Sequence, residues 1–113
     1  MKHPAQIVLF LQQMKSIVAE QGFILVERDA SMQFLADAGM TIEQLKTVIL
    51  TLEPEQCFDG PEPDRDPRYK EWTVAEFSPI YGGELLYLKM SIRSEKRRCK
   101  CLSVKLYKDR SEL

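Results

Sequence analysis

The chain has 113 residues, 44% of them hydrophobic and 29% charged, and a formal net charge of −1. This length holds one domain, 1–113, with a real core and without room for an elaborate cofactor-binding architecture. Its longest apolar run, Ile7 to Leu11, falls far short of the roughly twenty residues that a membrane span needs, so no membrane partner is expected.

From the N-terminus, Ile7, Val8, Leu11, Met14, Ile17 and Val18 recur at helical spacing, with Pro4 before them and Gly22 as a stop. Phe23 to Glu27 is β-prone and short, a strand or an extended connector. Ser31 to Ala38 reads as a second helix closed by Gly39. Thr41-Ile42-Glu43-Gln44 has the form of a capping box, opening a third helix that runs to about Thr51 and shows Leu45, Val48, Ile49 and Leu52 on one face.

Three prolines then interrupt the chain, and an acidic Pro-rich loop is expected at about 59–69. Its carboxylates lack the glycine and the downstream glutamate of a calcium loop. Cys99 and Cys101 are too closely spaced for a zinc knuckle, and the only histidine is His3, so no metal and no cofactor is expected. An odd cysteine count without a charged-then-apolar leader suits a reduced, cytoplasmic protein.

Beyond the loop, Glu71 to Phe77 reads as a strand, and Gly82-Gly83 as the tight turn of a hairpin. Two alternating strands follow, Glu84 to Ile92 and Cys99 to Tyr107. In the first, Leu86, Leu88, Met90 and Ile92 share one face. In the second, Leu102, Val104 and Leu106 are the apolar set, and Cys101, Ser103, Lys105 and Tyr107 the opposite one. The fold class is α+β, N-terminal helices packed on one face of an antiparallel sheet of three or more strands. The open face then carries Tyr87, Lys89, Lys105 and Tyr107 together.

Charge is distributed unevenly along the chain. Leu85 to Arg110 holds nine basic residues against two acids, whereas Glu53 to Glu71 holds seven acids against three bases. A basic sheet beside an acidic loop points to a polyanionic partner.

The helix ending in Val48-Ile49-Leu50-Thr51-Leu52-Glu53-Pro54-Glu55, the loop, Trp72, the glycine turn, Leu86-Tyr87-Leu88-Lys89 and Leu102-Ser103-Val104-Lys105 together resemble the MqsR family of toxin–antitoxin mRNA interferases. The similarity runs in order from about Ala30 to Lys105. It implies a RelE-like α+β fold, metal-independent cleavage of mRNA, and silencing by a cognate antitoxin protein. It places Tyr87 on the family's active-site tyrosine and Lys105 on the lysine of the last strand. The family's other lysine and its glutamine fall at Asp59 and Thr73.

The chemistry follows from the residues as well. Cleaving RNA without a metal requires a base at the 2′-hydroxyl, cations over the phosphorane and a proton for the 5′-oxygen. Lys105, beside other cations, would serve as base or charge stabiliser, and Tyr87 as acid or phosphate anchor. Lys89, Arg98 and Lys100 are candidates for neighbouring phosphates, Thr73 for a further RNA contact, and Tyr107, with Phe77, for base stacking. The alternative is a non-catalytic RNA- or protein-binding module.

Overall fold

The structure, a computed structural model, describes residues 4–107; His3, Lys108, Asp109 and Arg110 lie outside the described residues. Three helices are followed by most of a six-stranded mixed sheet. Helix α1 spans Pro4–Gln21, strand β1 Ile24–Leu25, α2 Asp29–Ala38 and α3 Ile42–Leu50. Strands β2 (Cys57–Pro63), β3 (Thr73–Phe77), β4 (Ile80–Tyr81), β5 (Glu84–Arg93) and β6 (Arg98–Leu106) complete the fold.

Helix α3 begins where its sequence requires. The Gln44 N–H donates to Thr41 Oγ1 at 3.1 Å, and the Thr41 N–H donates to Gln44 Oε1 at 2.9 Å. Two donors otherwise orphaned at the helix start are thereby satisfied. In α1 the buried stripe is Ile7, Phe10, Leu11, Met14, Ile17 and Val18, while Val8 is exposed. Phe10 takes the place expected for Val8 and meets Phe77 of β3, ring centroids 6.0 Å apart.

The sheet order is β1-β6-β5-β3-β2, with β4 paired to β5 through the Gly82-Gly83 turn. Pairing is antiparallel throughout except at β1, which runs parallel to β6, so the all-antiparallel sheet expected from the sequence is corrected to a mixed one. On the core face, Leu86, Leu88, Met90, Ile92, Ala75 and Phe77 are buried against α1 and α3 residues. Each such large aliphatic contributes about 1.5–3 kcal/mol relative to exposure.

Strand β6 departs from simple alternation. Lys89 pairs with Ser103 but Met90 pairs with Cys101, which leaves Leu102 as the extra residue of a β-bulge. The bulge switches the parity of the strand. Cys99, Cys101 and Val104 face the core, Leu102 is only partly buried, and Leu106 is exposed. The expected apolar set of Leu102, Val104 and Leu106 is therefore corrected to Cys99, Cys101 and Val104. Burial pushes both thiols up from 9.0 to about 12, so they behave as small apolar side chains.

Half of the expected acidic loop is strand. Residues 57–63 form β2, the edge of the sheet, with register shifts against β3 on either side of Asp59. An edge strand tolerates Pro61 and Pro63 because donors on its outer side have no partner strand to lose. Gly60 makes the approach possible. Its φ is +79°, and a Cβ there would lie 2.5 Å from the Val74 carbonyl oxygen. The segment beyond β2 is held by its own carboxylates. Asp64 accepts from the Asp66 N–H at 2.9 Å, and Asp66 accepts from the Arg68 guanidinium at 2.7 Å. The hydrogen bonds from Arg68 hold the Asp66 carboxyl down at about 2.

Helix α2 lies alongside β6, past the point where β1 ends. The Val104 N–H donates to Ser31 Oγ at 3.1 Å, closing an edge position that β1 does not reach. Leu35 of α2 enters the core, while Ala30, Gln33, Phe34 and Asp37 border the opposite face of the sheet.

Candidate functional site

The open face of the sheet is the floor of a cleft of about 1040 Å³. Its floor is Val74 and Glu76 of β3, Tyr87 and Lys89 of β5, and Lys105 of β6. One wall is α2, and the other is β2 with residues 64 and 65. Alternation along β3 and β5 delivers these side chains to one face, and the bulge at Leu102 restores Lys105 and Tyr107 to it.

Tyr87 and Lys105 are direct register partners across β5 and β6. The Lys105 ammonium stands 5.2 Å from the centre of the Tyr87 ring, within cation–π range. Phe58 packs against Tyr87 at 5.9 Å and edge-on against Tyr107 at 5.4 Å, making a three-ring cluster at the end of the cleft. Burial, and then the nearby Glu76 carboxylate, hold the Tyr87 phenol well above its ordinary range, with the charge of Asp59 adding to them and Arg28 opposing. Tyr87 is thus a neutral donor at any physiological pH.

Of the residues singled out in the sequence, the fold brings Tyr87, Lys105, Lys89 and Tyr107 into this cleft. Four others do not line it. Arg98 is exposed at the start of β6, opposite Arg93, next to the β5–β6 turn. Thr73 shares the strand face of Ala75 and Phe77, away from the cleft, and pairs with Ile92. Lys100 is on the open face but is stacked on two rings, 4.1 Å from the centre of Trp72 and 4.7 Å from that of Tyr69. Phe77, the second stacking candidate, is wholly buried in the core.

The basic character read from the sequence is also redistributed. Arg97 is ion-paired with Glu20 of α1 and donates to Ser16 Oγ at 3.0 Å, and Arg93 pairs with Glu95 at 3.0 Å. Lining the cleft are three cations, Arg65, Lys89 and Lys105, and five carboxylates, Asp37, Asp59, Glu62, Asp64 and Glu76. The acidic segment is therefore a wall of the same site, and Lys105 stands beside an aromatic ring in a cleft lined by more carboxylates than cations.

Glu76 and Phe58 are among the cleft residues that the sequence pattern does not pick out. Glu76 is legible in principle, because Ala75 and Phe77 are apolar and alternation sends Glu76 to the opposite face. Phe58 carries no signal, since β2 itself is hidden by its prolines. No protein-family model matches the chain, and comparison with curated proteins and with solved structures likewise gives no match.

Proposed function

We propose that this chain is a metal-independent endoribonuclease of RelE/MqsR-like fold that cleaves mRNA in the cleft between α2 and β2. In this reading it is the toxin of a cytoplasmic toxin–antitoxin pair, held silent by a cognate antitoxin protein. The observation that carries it is the opposition of Tyr87 and Lys105 on an open sheet face, a neutral proton donor beside a cation. Such a pair meets two of the three demands of phosphodiester transesterification: charge stabilisation and a proton for the leaving oxygen. Lys89 lies two residues from Tyr87 on the same strand face and can hold an adjacent phosphate, while Phe58 and Tyr107 offer aromatic faces to unpaired bases.

A second reading is favoured by the five carboxylates of the lining, which repel a polyanion. In it the chain is a non-catalytic module that binds a protein, or an RNA held without cleavage. One experiment separates the two. Purified protein is incubated with mRNA in the presence of a chelator, alongside Lys105→Ala and Tyr87→Phe, and growth is followed on induced expression. The nuclease reading expects fragments and growth arrest that both substitutions reduce. Intact RNA with unimpaired growth overturns it and leaves the binding module.

A further inference from the structure

We propose that Glu76 is the general base of the cleft, taking the proton of an RNA 2′-hydroxyl while Tyr87 protonates the departing 5′-oxygen and Lys105 holds the phosphoryl oxygens. This rests on the RNA-cleavage reading above and supplies the one role that Tyr87 and Lys105 leave open.

Glu76 sits on β3, an internal strand paired with β2 on one side and β5 on the other, where a glutamate is a poor strand former. It faces the cleft floor, directly opposite Lys89 in register and diagonal to Tyr87. Its charge is close enough to the Tyr87 phenol to raise that group's pKa. The other lining carboxylates stand on the walls: Asp37 on α2, and Asp59, Glu62 and Asp64 on β2 and just beyond it.

The step balances. The 2′-oxygen attacks phosphorus as its proton passes to the Glu76 carboxylate. The P–O5′ bond breaks as the 5′-oxygen takes the phenolic proton. Glu76 then returns its proton to the neighbouring phenolate, and both groups are reset. The products are a 2′,3′-cyclic phosphate and a 5′-hydroxyl, with no net proton, electron or water consumed. An alkoxide leaving oxygen is more basic than a phenolate, so a phenol that burial keeps neutral still serves as its acid.

The test uses Glu76→Gln, which keeps the size and polarity of the side chain but is not a base. Cleavage of an oligoribonucleotide is expected to fall by about 100-fold or more. RNA affinity, read by fluorescence anisotropy, should hold or tighten because a negative charge has left the cleft. Glu76→Asp, keeping a carboxylate one methylene short, should fall between. A second substrate, with sulfur in place of the scissile 5′-oxygen, separates base from acid because a thiolate departs without a proton. On it the Tyr87→Phe defect should shrink and the Glu76→Gln defect persist. If Glu76→Gln cleaves within about threefold of the parent while Lys105→Ala and Tyr87→Phe are impaired, Glu76 is not the base and the nuclease reading stands without it. Rescue of both variants by sulfur would likewise remove Glu76 from the role. If the parent chain cleaves nothing, both readings fall together.

Discussion

The two ends of the open sheet face are built from the same materials and present them in opposite ways. At one end, Lys105 lies beside Tyr87 in a cleft, with Glu76 and Lys89 at hand. At the other, Lys100 lies beneath Tyr69 and Trp72, and Ser91, its register partner on β5, is buried with its hydroxyl making no hydrogen bond among the described residues. Both lysines are on β6, five residues apart, and the bulge at Leu102 is what keeps them on one face. What divides them is the segment between β2 and β3, whose Asp66–Arg68 clasp folds two rings over the Lys100 end. A lysine on an open face is a candidate site only where nothing from elsewhere in the chain is stacked on it.

The widest break between the two ends is expected in catalysis. Lys105→Ala should lower the rate of RNA cleavage by about 10²-fold to 10⁴-fold, the range in which one catalytic group acts, whereas Lys100→Ala should leave it within about threefold. Initial rates on one oligoribonucleotide with the three proteins distinguish these outcomes. Equal losses at the two positions would show that the covered end also meets the substrate.

How much of this is legible in the sequence differs by element. Helices α1 and α3 and strand β5 are legible because each repeats one period over nine residues or more and is bounded by residues with a mechanical reason to be there, such as the Thr41–Gln44 box and the Gly82-Gly83 turn. The pairing of Tyr87 with Lys105 follows from the same alternation. Strand β6 misleads at Leu102 because Cys101 and Ser103 are both small and give no clue to which one faces inward. Strand β2 misleads because proline content argues against strands in general and not against edge strands. The Lys100 stack depends on where Trp72 and Tyr69 arrive from another part of the chain, and no local pattern encodes that.

The wall of the cleft gives a test of intermediate size. Gly60→Ala requires a side chain at positive φ and 2.5 Å from the Val74 carbonyl oxygen, so β2 must move away from β3. The expected loss of stability is about 2–3 kcal/mol, measured by denaturant unfolding. Because Phe58 and Asp59 enter the cleft from this strand, the variant should also perturb the Lys105 end while leaving the Lys100 end in place. Trp fluorescence reads the Lys100 end alone, since the single tryptophan is Trp72, and the cleavage rate reads the Lys105 end. A loss under about 0.5 kcal/mol, the range of an ordinary surface substitution, would mean that β2 does not approach β3 as closely as described.

The smallest effect lies in the covered end itself. Lys100 meets the faces of Trp72 and Tyr69 at 4.1 and 4.7 Å, against 5.2 Å for Lys105 over Tyr87. Cation–π attraction at a partly solvated site is worth about 0.5–1 kcal/mol, and two rings at shorter range belong at the upper end. A double-mutant cycle on Lys100→Met and Trp72→Leu isolates the pair, because each substitution keeps most of the apolar bulk and removes one partner of the electrostatic contact. The coupling should be about 1 kcal/mol by denaturant unfolding, with the corresponding cycle on Lys105 and Tyr87 giving less than half as much. The difference has a functional meaning. A lysine whose interaction with its neighbours is weak gives up little when its ammonium turns from a ring to a phosphate, whereas Lys100 must first leave two rings. Coupling at Lys105 equal to that at Lys100 would remove this distinction, and would make Lys105 as much a structural residue as its counterpart.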